Sequence, residues 1–409
     1  MKAKAGGEHT LLQTKEGNLF SAGACGLGWC RDLPLTKDLF AFRPVSFSLA
    51  SNIKVKEFHA SYYHNLALSE DGQVAAWGCG TFPGGGLDGV IPALGPTAGE
   101  SDRGEPPRLI PLPEKEVAKA ITGGAYHSAI LTESGKIFTF GAGQLGQLGR
   151  PASMLDASGL PADPNVLEAK LELAENDQVH KIGAGFYNTF AISQLGSLFC
   201  AGENQNQQCG AGLKNLRKFS RVEEIKEKVV DQVEGGYCHT LVKMLDGSVW
   251  SMGCGEEGQR GDGKTDDENE KDPRGAITRV NLPNNVLTKE VAAGANHSIV
   301  LGNNGVAFSF GANDVGQCGL ESTVQKLDGV DEGDPVISPR PILLPVMDDP
   351  VASVSAGYAH SVLTTEKGRV FVFGQNDNGQ LGLGAVAEPG ATGKDAESQS
   401  APVEVKAPS

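Results

Sequence analysis

The sequence has 409 residues, 55 of them glycine, and a formal net charge of −15 at pH 7. This charge argues against nucleic acid and anionic membranes as direct partners, because both need a basic surface, but it is compatible with a protein partner that has one. No apolar run approaches the roughly 20 residues that span a bilayer, and a repeat begins too early to leave room for a signal peptide. We therefore expect a nuclear or cytoplasmic protein that is not secreted and binds no membrane.

A repeat organises the whole chain. Each of its seven copies carries a Gly-x-x-His loop or a variant, followed by two short strands. The anchor residues of the copies are His9, His64, His127, Asn188, His239, His297 and His360. A glycine follows each anchor after eight residues and another after fourteen, whereas successive anchors lie 51 to 63 residues apart. A rigid unit with variable connectors is typical of radial repeats.

The strand pattern predicts the fold class. Apolar and smaller residues alternate on both sides of the turn glycine, as in Lys136–Phe140, which indicates a β-hairpin. A short apolar segment precedes each loop and a Pro-containing segment follows each connector, which gives four strands per copy. We predict an all-β protein, a seven-bladed β-propeller of four-stranded antiparallel blades, in a single domain over residues 1–409. The repeat cores lie near residues 5–28, 60–83, 123–149, 184–210, 235–261, 293–319 and 356–382.

The ends of the chain suggest how the ring closes. The pattern predicts that the chain opens at the second strand of its first copy and ends with an outer-strand segment at 401–405. We therefore expect the N- and C-terminal strands to share one blade. In the connector after the third copy, Ala162 to Asn176 is predicted to hold a short helix, with Asp163 as N-cap and Pro164 in its first turn.

The eight cysteines form no Cys-x-x-Cys pair. Cys209 and Cys318 take the positions that Leu148 and Leu381 take in other copies, so both are interpreted as small apolar fillers. The expectation is reduced thiols in a reducing compartment.

At this point the repeats resemble a known family. The segments Gly357-x-x-His360-Ser361, Gly368–Gly374 and Asn376–Gly382 are similar to the repeat of the regulator of chromosome condensation family, and the resemblance runs from about residue 3 to 405. It implies a seven-bladed propeller, whose founding member exchanges guanine nucleotide on the small GTPase Ran. No cofactor is implied, and the protein is expected to be monomeric on its own.

The second copy extends the resemblance beyond the repeat. A loop follows Trp77-Gly78 and ends in Gly89-Val90-Ile91, as does the wedge loop that pushes on the GTPase in the exchange factor. The wedge-like residues here are Thr81, Phe82, Pro83, Gly84, Gly85, Gly86, Leu87, Asp88, Gly89, Val90 and Ile91.

Other positions depart from the family. Just before the anchor, the exchange factor carries acidic and histidine residues in particular blades, whereas this chain has Tyr62, Tyr126 and Cys238 at the positions that correspond. A basic N-terminal tail is also missing. Two functions therefore stay open: exchange on a Ran-type small GTPase, and a non-catalytic scaffold that binds a protein partner in a larger assembly. Since no hydrolase or P-loop motif occurs, no covalent catalytic site is expected, and whether the chain is an enzyme stays uncertain.

The anchors themselves are interpreted as structural. Although a series of histidines suggests a metal ring, one imidazole per blade is too dispersed for ligand distances near 2 Å, so no metal site is predicted. The role expected of the anchors is instead to hydrogen-bond backbone carbonyls beside the loops.

The two residues before each anchor are the candidate partner-binding positions. These fourteen positions hold all six tyrosines of the chain. In an up-and-down blade the loops and the long connectors emerge on one face, which should carry an aromatic ring suited to binding a protein. The residues predicted for this face are Glu8, Tyr62, Tyr63, Tyr126, Phe186, Tyr187, Tyr237, Cys238, Asn296 and Tyr358. Packing of the tyrosines against neighbouring loops is the alternative.

Two connectors on the same face are acidic. Residues 256–272 carry a net charge of −5 and residues 321–334 a net charge of −4. The acidic rim comprises Glu256, Glu257, Asp266, Asp267, Glu268, Asp331 and Glu332, and is either a pair of solvated loops or a steering surface for a basic partner. The family also contains a photoreceptor built on clustered tryptophans, but Trp29, Trp77 and Trp250 are scattered here, so that function is not expected.

Overall fold

A computed structural model describes residues 1–23, 41–45, 54–78, 105–113, 115–151, 166–210, 212–266, 277–320, 334–346, 348–384 and 398–406. Within these ranges the strands form seven sheets, and each sheet has four antiparallel strands in chain order. The first strands of successive sheets contact one another around a central channel. The structure confirms the predicted seven-bladed β-propeller.

The first four blades occupy the N-terminal half of the chain. Blade 1 contains β1 Lys2–Ala5, β2 His9–Gln13, β3 Leu19–Gly23 and β4 Arg43–Pro44. Blade 2 contains β5 Val55–Ala60, β6 His64–Ser69, β7 Val74–Gly78 and β8 Glu105–Ile110. Blade 3 contains β9 Ala118–Gly123, β10 His127–Thr132, β11 Ile137–Gly141 and β12 Leu167–Ala169. Blade 4 contains β13 Val179–Ala184, β14 Asn188–Ser193, β15 Leu198–Gly202 and β16 Leu216–Arg221.

The last three blades complete the ring. Blade 5 contains β17 Val230–Gly235, β18 His239–Met244, β19 Val249–Gly253 and β20 Thr278–Val280. Blade 6 contains β21 Thr288–Ala293, β22 His297–Gly302, β23 Ala307–Gly311 and β24 Val336–Pro341. Blade 7 contains β25 Val351–Ala356, β26 His360–Thr365, β27 Val370–Gly374 and β28 Gln399–Glu404. Short 3₁₀ turns lie at Glu223–Ile225 and Pro283–Asn285.

The glycines of the repeat keep each hairpin tight. Gly368 turns β26 into β27 with φ of 80°, in the left-handed region where glycine is favoured. Gly374, with φ of 97°, ends β27 against the preceding loop, and a Cβ there would lie 2.5 Å from the carbonyl oxygen of Ala359. The fixed spacing of these two glycines from the anchor therefore reflects two backbone positions where a side chain would be strained or would clash.

The apolar cores lie between neighbouring blades. At the junction of blades 7 and 1, Ala5 and Leu12 pack with Val362 and Val372, and all four are buried. Comparable clusters occupy the other six junctions of the described residues. Because a blade is covered on both faces, its second and third strands read as nearly continuous buried runs. The first strands are partly exposed to the channel, and the fourth strands form the outer edge.

The prediction that the termini share one blade is wrong. β1 pairs with β2 as the inner strand of blade 1, whereas β28 pairs with β27 as the outer strand of blade 7. The four residues of β1 suffice for an inner strand because Ala3 and Ala5 bury their methyl groups at the junction with blade 7. The ring closes through that junction, where the Ala5 amide also donates to Ser355 Oγ at 3.0 Å.

The predicted helix in the connector of blade 3 is also wrong where the structure describes it. Leu167–Ala169 is β12, the outer strand of blade 3, which pairs with β11. A helix at these residues would leave the outer edge of β11 unpaired. Asp163 and Pro164 lie outside the described residues.

Candidate protein-binding face

The loop between the first and second strand of each blade is a closed turn. Its first residue donates its amide hydrogen to the anchor carbonyl, as Gly6 does to His9 and Gly236 does to His239, both at 2.8 Å. A Cβ on Gly236 would collide with the imidazole of His239, which explains why glycine stands here in most copies. This turn presents the two residues before the anchor on one face of the ring.

The loops are then joined to one another around the channel mouth. In every described blade, the residue after the first loop residue donates its amide hydrogen to a carbonyl in the loop of the next blade. The pairs, donor first, are Gly7 and Ser61, Tyr62 and Gly124, Ala125 and Phe186, Phe186 and Gly236, Tyr237 and Ala295, Ala295 and Gly357, and Tyr358 and Gly6, at 2.9 to 3.5 Å. The bond from Tyr358 to Gly6 connects blade 7 with blade 1. The candidate residues therefore sit on a closed ring of backbone hydrogen bonds.

The anchor histidines add a second, buried belt between blades. Nε2 of His64, His239 and His297 lies 2.7, 2.9 and 2.9 Å from the hydroxyl oxygen of Ser128, Ser298 and Ser361 in the next blade. His360 reaches Thr10 at 3.0 Å, His9 reaches Asn65 at 2.6 Å, and His127 reaches the Asn188 carbonyl at 3.2 Å. Backbone carbonyls were the expected partners, and His127 uses one. The other five contacts are to side chains, although backbone groups of Ala125, Ala295 and His9 also raise the pKa values of His64, His239 and His360.

The partners of the hydroxyl groups fix the protonation of the imidazoles. Ser361 Oγ donates to the Gln317 carbonyl at 2.8 Å, and so it can only accept from His297. His297 must therefore carry its proton on Nε2, while its buried Nδ1 has no hydrogen-bond partner. A second proton on Nδ1 would be buried without an acceptor. Accordingly, burial lowers the pKa of His297 to about 3, and the pKa values of the other five anchor histidines to about 3 or 4.

The aromatic side chains of the loops form one connected cluster, which we call the aromatic cluster. Its members are Tyr62, Tyr63, Tyr126, Phe186, Tyr187, Tyr237 and Tyr358. Tyr62 lies at its centre, with ring centroids 4.7 Å from Phe186 and 5.3 Å from Tyr358. Tyr63 stacks on Tyr126 at 4.9 Å. Phe186 and Tyr358 belong to blades on other sides of the ring, so these contacts reach across the channel mouth.

The cluster combines packing with an exposed surface. Tyr237 and Tyr358 are 45% and 39% exposed, while the other five rings are half-buried. Burial raises the pKa of Tyr187 to about 12 and raises the pKa of Tyr62 further above its usual value. The hydroxyl groups of Tyr62 and Tyr187 are therefore neutral and can donate hydrogen bonds. A neutral, ordered aromatic platform is suited to binding a protein surface.

The remaining predicted face residues complete the ring beside the cluster. Glu8, Cys238 and Asn296 occupy the equivalent loop positions of blades 1, 5 and 6, and all three are half-buried. The charge of Glu8 contributes to the raised pKa of Tyr62. The face is thus aromatic over blades 2 to 5 and 7, and polar or small elsewhere.

The acidic rim is described only in part. Glu256 is exposed and Glu257 is half-buried. The carboxylate of Asp266 is engaged, because it lies 2.8 Å from Arg260 Nη2 and accepts the Gly255 amide hydrogen at 2.7 Å. Asp267, Glu268, Asp331 and Glu332 lie outside the described residues, as does the whole wedge-like loop from Thr81 to Ile91.

The expectation of reduced thiols is wrong for four cysteines. Cys200 is disulfide-bonded to Cys209 and Cys238 to Cys254, with Cα atoms 5.6 Å apart in each pair. The interpretation of Cys209 as a mere apolar filler missed its partner, which lies nine residues away on the neighbouring strand β15. Cys318 is free and buried, and burial raises the pKa of its thiol to about 12.

Sequence reasoning missed a group of polar residues in the channel directly beneath the cluster. A cavity of about 120 Å³ is lined by Tyr62, Tyr358, Lys4, Glu234 and Glu290 among others. Burial raises the pKa of Glu234 to about 7, although the charge of Lys4 opposes this. This polar group could have been predicted from the sequence, because its side chains alternate along the inner strands at positions that point into the channel.

The described ranges contain no candidate metal site and no candidate membrane-spanning helix. No group of three or more potential ligands there could hold a metal ion. None of the helices in that part of the chain is long and apolar enough to cross a bilayer.

Comparison with known proteins adds the following relationships. The family model for the RCC1-like domain matches residues 85–409. The chain is 27% identical over 385 residues to the regulator of chromosome condensation of Xenopus laevis, covering 90% of this chain and 82% of that protein. It is 26% identical over 328 residues to the ultraviolet-B receptor UVR8 of Arabidopsis thaliana, covering 78% of this chain. It spans only 65% of UVR8, and 25% of the probable E3 ubiquitin-protein ligase HERC6 of Homo sapiens, to which it is 29% identical.

Solved structures show the same architecture. Prp20p from Saccharomyces cerevisiae, described together with its binding to Gsp1p and histones, superposes with a TM-score of 0.75 at 20% identity. The superposition covers 97% of this chain and 88% of Prp20p. Human WBSCR16 superposes with a TM-score of 0.70 at 19% identity, covering 90% and 85% of the two chains. At these identities the likeness establishes the fold alone.

Proposed function

The chain belongs to the RCC1-like domain family, and from this premise we propose that it is a guanine-nucleotide exchange factor, or an exchange-factor-like regulator, of a Ran-type small GTPase. The GTPase docks on the aromatic cluster. The observation that carries the proposal is the cluster itself, seven contacting rings held on a closed ring of loop hydrogen bonds.

The rigidity of the face supports this function. An exchange factor of this kind does no covalent chemistry; it holds the GTPase in a conformation that binds nucleotide weakly. Such a surface must resist deformation when the partner pushes back. Both the backbone ring and the histidine belt brace the loops from blade to blade, so Tyr237 and Tyr358 are presented on a stiff support.

The acidic groups of the same face support a basic partner. Glu256 is exposed on a connector beside the loops, and Glu203 lies close enough to Tyr187 to contribute to the raised pKa of that tyrosine. Long-range attraction of this type raises the association rate and weakens as salt screens the charges. We therefore propose that binding is steered by charge and held by aromatic contacts.

Release of a fluorescent GDP analogue from a panel of purified small GTPases tests the proposal. The wild-type protein should accelerate release from at least one Ran-type member, and Tyr237→Ala with Tyr358→Ala should reduce that acceleration at least tenfold, since exposed tyrosines are typical hot spots. Leu343→Ala, at a residue that is 64% exposed and lies away from the face, is the control. If no GTPase responds, exchange is excluded.

A non-catalytic scaffold is the second candidate, and one observation favours it. The positions that carry acidic or histidine residues in the exchange factor hold Tyr62, Tyr126 and the disulfide-bonded Cys238 here, and none of these supplies a charge. A scaffold would form a stable complex through the aromatic cluster without accelerating release. Binding measured by calorimetry alongside the release assay distinguishes the two functions, because only the exchange factor requires both results.

The wedge-like loop provides an independent arm of the experiment. We propose that residues 81–91 act on the nucleotide site of the bound GTPase, as the resemblance implies. Deleting Pro83 to Asp88 should abolish acceleration while complex formation and the thermal midpoint stay within experimental error. Loss of binding in this variant would instead assign the loop to docking.

An ultraviolet-B receptor function, which the name of the relative UVR8 states for that protein, has no support in the described residues of this chain. Trp77 is fully buried in the core between blades 1 and 2, while Trp250 lies beneath Lys228 in blade 5, with the Nζ atom 4.4 Å from the ring centroid. These two tryptophans are three blades apart and cannot form a chromophore cluster. Trp29 lies outside the described residues.

A further inference from the structure

The face opposite the aromatic cluster carries an unusual row of exposed aliphatic side chains. Leu195 and Leu245 lie in the turns between the second and third strands of blades 4 and 5. Val229 and Leu287 lie just before the first strands of blades 5 and 6. Their exposed fractions are 65%, 69%, 46% and 53%, respectively. Single exposed aliphatics are normal on a protein surface, but a contiguous group indicates a contact site.

The four residues are neighbours, and so they form one surface, which we call the aliphatic arc. The turn glycine after Leu195 packs against Val229, so closely that an added Cβ would collide with it. The Leu245 amide donates to the Val229 carbonyl at 2.8 Å, which joins the next turn to the same residue. Gly247, the turn glycine that follows Leu245, packs against Leu287. The arc thus runs without a break across the junctions of blades 4, 5 and 6.

The other repeats show that these residues are not required by the fold. The two positions before the turn glycine are polar in all five remaining copies: Lys15-Glu16, Glu70-Asp71, Glu133-Ser134, Asn303-Asn304 and Glu366-Lys367. The position of Val229 and Leu287 is Lys54 in blade 2 and Gln178 in blade 4, whereas blades 3 and 7 carry Val117 and Pro350 there. Polar side chains therefore serve the same backbone elsewhere in this chain, and the aliphatic arc needs an explanation other than propeller stability.

A groove beside the arc offers space for a bound segment. It has a volume of about 330 Å³ between blades 4 and 5, and its walls include Leu195, Phe199 and Val229. Three cations lie along it, Arg221, Lys226 and Lys228. Its acidic walls are Glu172, Asp177 and Glu227, and one Asp177 oxygen already accepts the amide hydrogens of Gln178 and Leu195.

The adjoining outer strand strengthens the positive charge. Residues 214–221 contain Lys214, Arg217, Lys218 and Arg221 and no acidic residue, in a chain whose net charge is −15. All four side chains are exposed on the edge of blade 4. β16 runs from the aromatic face to the opposite face, because Gly202 pairs with Leu216 while Phe199 pairs with Arg221. This basic strip therefore leads directly to the groove.

We propose that the aliphatic arc and the basic strip together form a second binding site, for a peptide segment of a partner that combines acidic and large aliphatic residues. The aliphatic side chains of the segment cover the arc and enter the groove, while its carboxylates pair with the strip and with Lys226. This site is separate from the aromatic face, and it does not rest on the proposed exchange function.

The repeats themselves supply variants that should fold. Leu195→Ser, Leu245→Glu and Leu287→Gln each introduce the residue that another blade holds at the equivalent position: Ser134, Glu70 and Gln178, respectively. The triple variant removes the arc, and Arg221→Glu with Lys226→Glu reverses the charge beside it. Leu213→Ser, at a residue 63% exposed on a connector of the other face, is the control. An unchanged thermal midpoint shows that each variant is folded.

The probe is a displayed library of random 12-residue peptides, selected separately on the wild-type protein and the variants. The expected result is enrichment of peptides rich in Asp or Glu and in Leu, Ile or Phe on the wild type and on Leu213→Ser. Synthetic copies of these peptides should bind at least tenfold more weakly to the triple variant and to the charge-reversed variant.

Three results would overturn the proposal. The first is selection of the same peptides by wild type and triple variant, or of none by either. The second is enrichment of Lys and Arg instead of acidic residues. The third is sedimentation showing a wild-type dimer that the triple variant cannot form, because the arc would then belong to a second copy of this chain.

Discussion

At the scale of single residues, the anchor histidines couple the blades. Each imidazole hydrogen-bonds to the next blade. Between blades 6 and 7, His297 donates to Ser361, which donates its own hydroxyl hydrogen to the Gln317 carbonyl of blade 6. The hydroxyl-bearing residue directly after most anchors, such as Ser298 or Ser361, therefore serves to bind the histidine of the preceding blade. At four of the seven junctions, one imidazole and one hydroxyl tie the side chains of neighbouring sheets, which share no strand ladder.

Removing one hydroxyl tests this coupling. Ser361→Ala leaves the Nε2 hydrogen of His297 and the Gln317 carbonyl without their partner inside the protein, which should lower the free energy of unfolding by about 1–3 kcal/mol. Urea unfolding followed by tryptophan fluorescence measures the change. Ser353→Ala, on the inner strand of the same blade, is the control and should change stability by less than about 0.5 kcal/mol. Equal effects of the two variants would contradict the relay.

The lowered pKa values predict how stability depends on pH. Above about pH 6.5 the anchor histidines are neutral in both states, so stability is at its maximum with respect to these groups. Between pH 6.5 and about 4 only the unfolded chain binds their protons, and the free energy of unfolding falls by up to about 1.4 kcal/mol per pH unit for each histidine. Glu234, whose pKa is raised to about 7, acts in the opposite direction, as do Glu57, Glu203 and Glu290, whose pKa values burial also raises. Buried His59, whose pKa is lowered to about 4, adds to the effect of the six anchor histidines.

The chain offers a matched variant for this prediction. His297→Asn introduces the residue that blade 4 carries at Asn188, and it should reduce the slope of stability against pH by about one proton. Urea titrations at pH 7.5, 6.5, 5.5 and 4.5 measure both slopes. A flat profile for the wild type would show that the imidazoles remain able to bind protons in the folded state.

At the scale of elements, the hairpins were predictable and the terminal strands were not. Fixed spacing from the anchor to Gly368 and Gly374 reports backbone constraints within one hairpin, and such local constraints are visible in one copy. β4 has two residues and β1 has four, too few for a period-two pattern to show. The prediction that the two termini share one blade therefore rested on a segment that the first copy was expected to lack, and it was wrong.

The candidate site likewise has a part that the sequence predicts and a part that it does not. Its positions before each anchor were evident from the alignment of the copies, because the loop has constant length. The contact of Tyr62 with Phe186 depends on the radius of the closed ring, and the bond between Cys200 and Cys209 depends on how a strand faces its connector. Neither follows from spacing along the chain.

Truncation of the last strand tests the corrected closure. Removing residues 399–409 deletes β28 and the buried Val405, which should lower the free energy of unfolding by at least about 2 kcal/mol. Blade 1 should keep the hydrogen-exchange protection of β2 and β3, because no strand of that blade is lost. Removal of residues 407–409 alone is the control. Loss of protection in blade 1 greater than in blade 6 would restore the shared-blade hypothesis.

At the scale of the whole molecule, the ring places equivalent cores at every junction. An open repeat protein frays from its end repeats, since each of these has one neighbour. In this closed ring no blade can leave without breaking two cores and two bonds of the loop ring. Blades other than 4 and 5 also break two links of the histidine belt, because the anchor of blade 4 is Asn188. We therefore expect the seven blades to unfold together.

A core variant distinguishes joint from piecemeal unfolding. Leu66→Ala, at a fully buried residue between blades 2 and 3, should lower the free energy of unfolding by about 2–5 kcal/mol. Hydrogen exchange followed by mass spectrometry should show faster exchange of the most protected amides in all seven blades. Leu213→Ala is the exposed control. Faster exchange confined to blades 2 and 3 would mean that the ring opens locally.

The closure between blades 7 and 1 has a further consequence. The N-terminal ammonium group donates to the Gly368 carbonyl at 3.4 Å, and the Val405 amide donates to the Val370 carbonyl at 2.8 Å, so both ends of the chain rest on one hairpin. The copies thus have a cyclic order with no privileged starting point. A short linker between these ends, with a new opening between two other blades, should yield a circular permutant with the same shape. A docking partner would then distinguish blades by their side chains alone and not by their place in the gene.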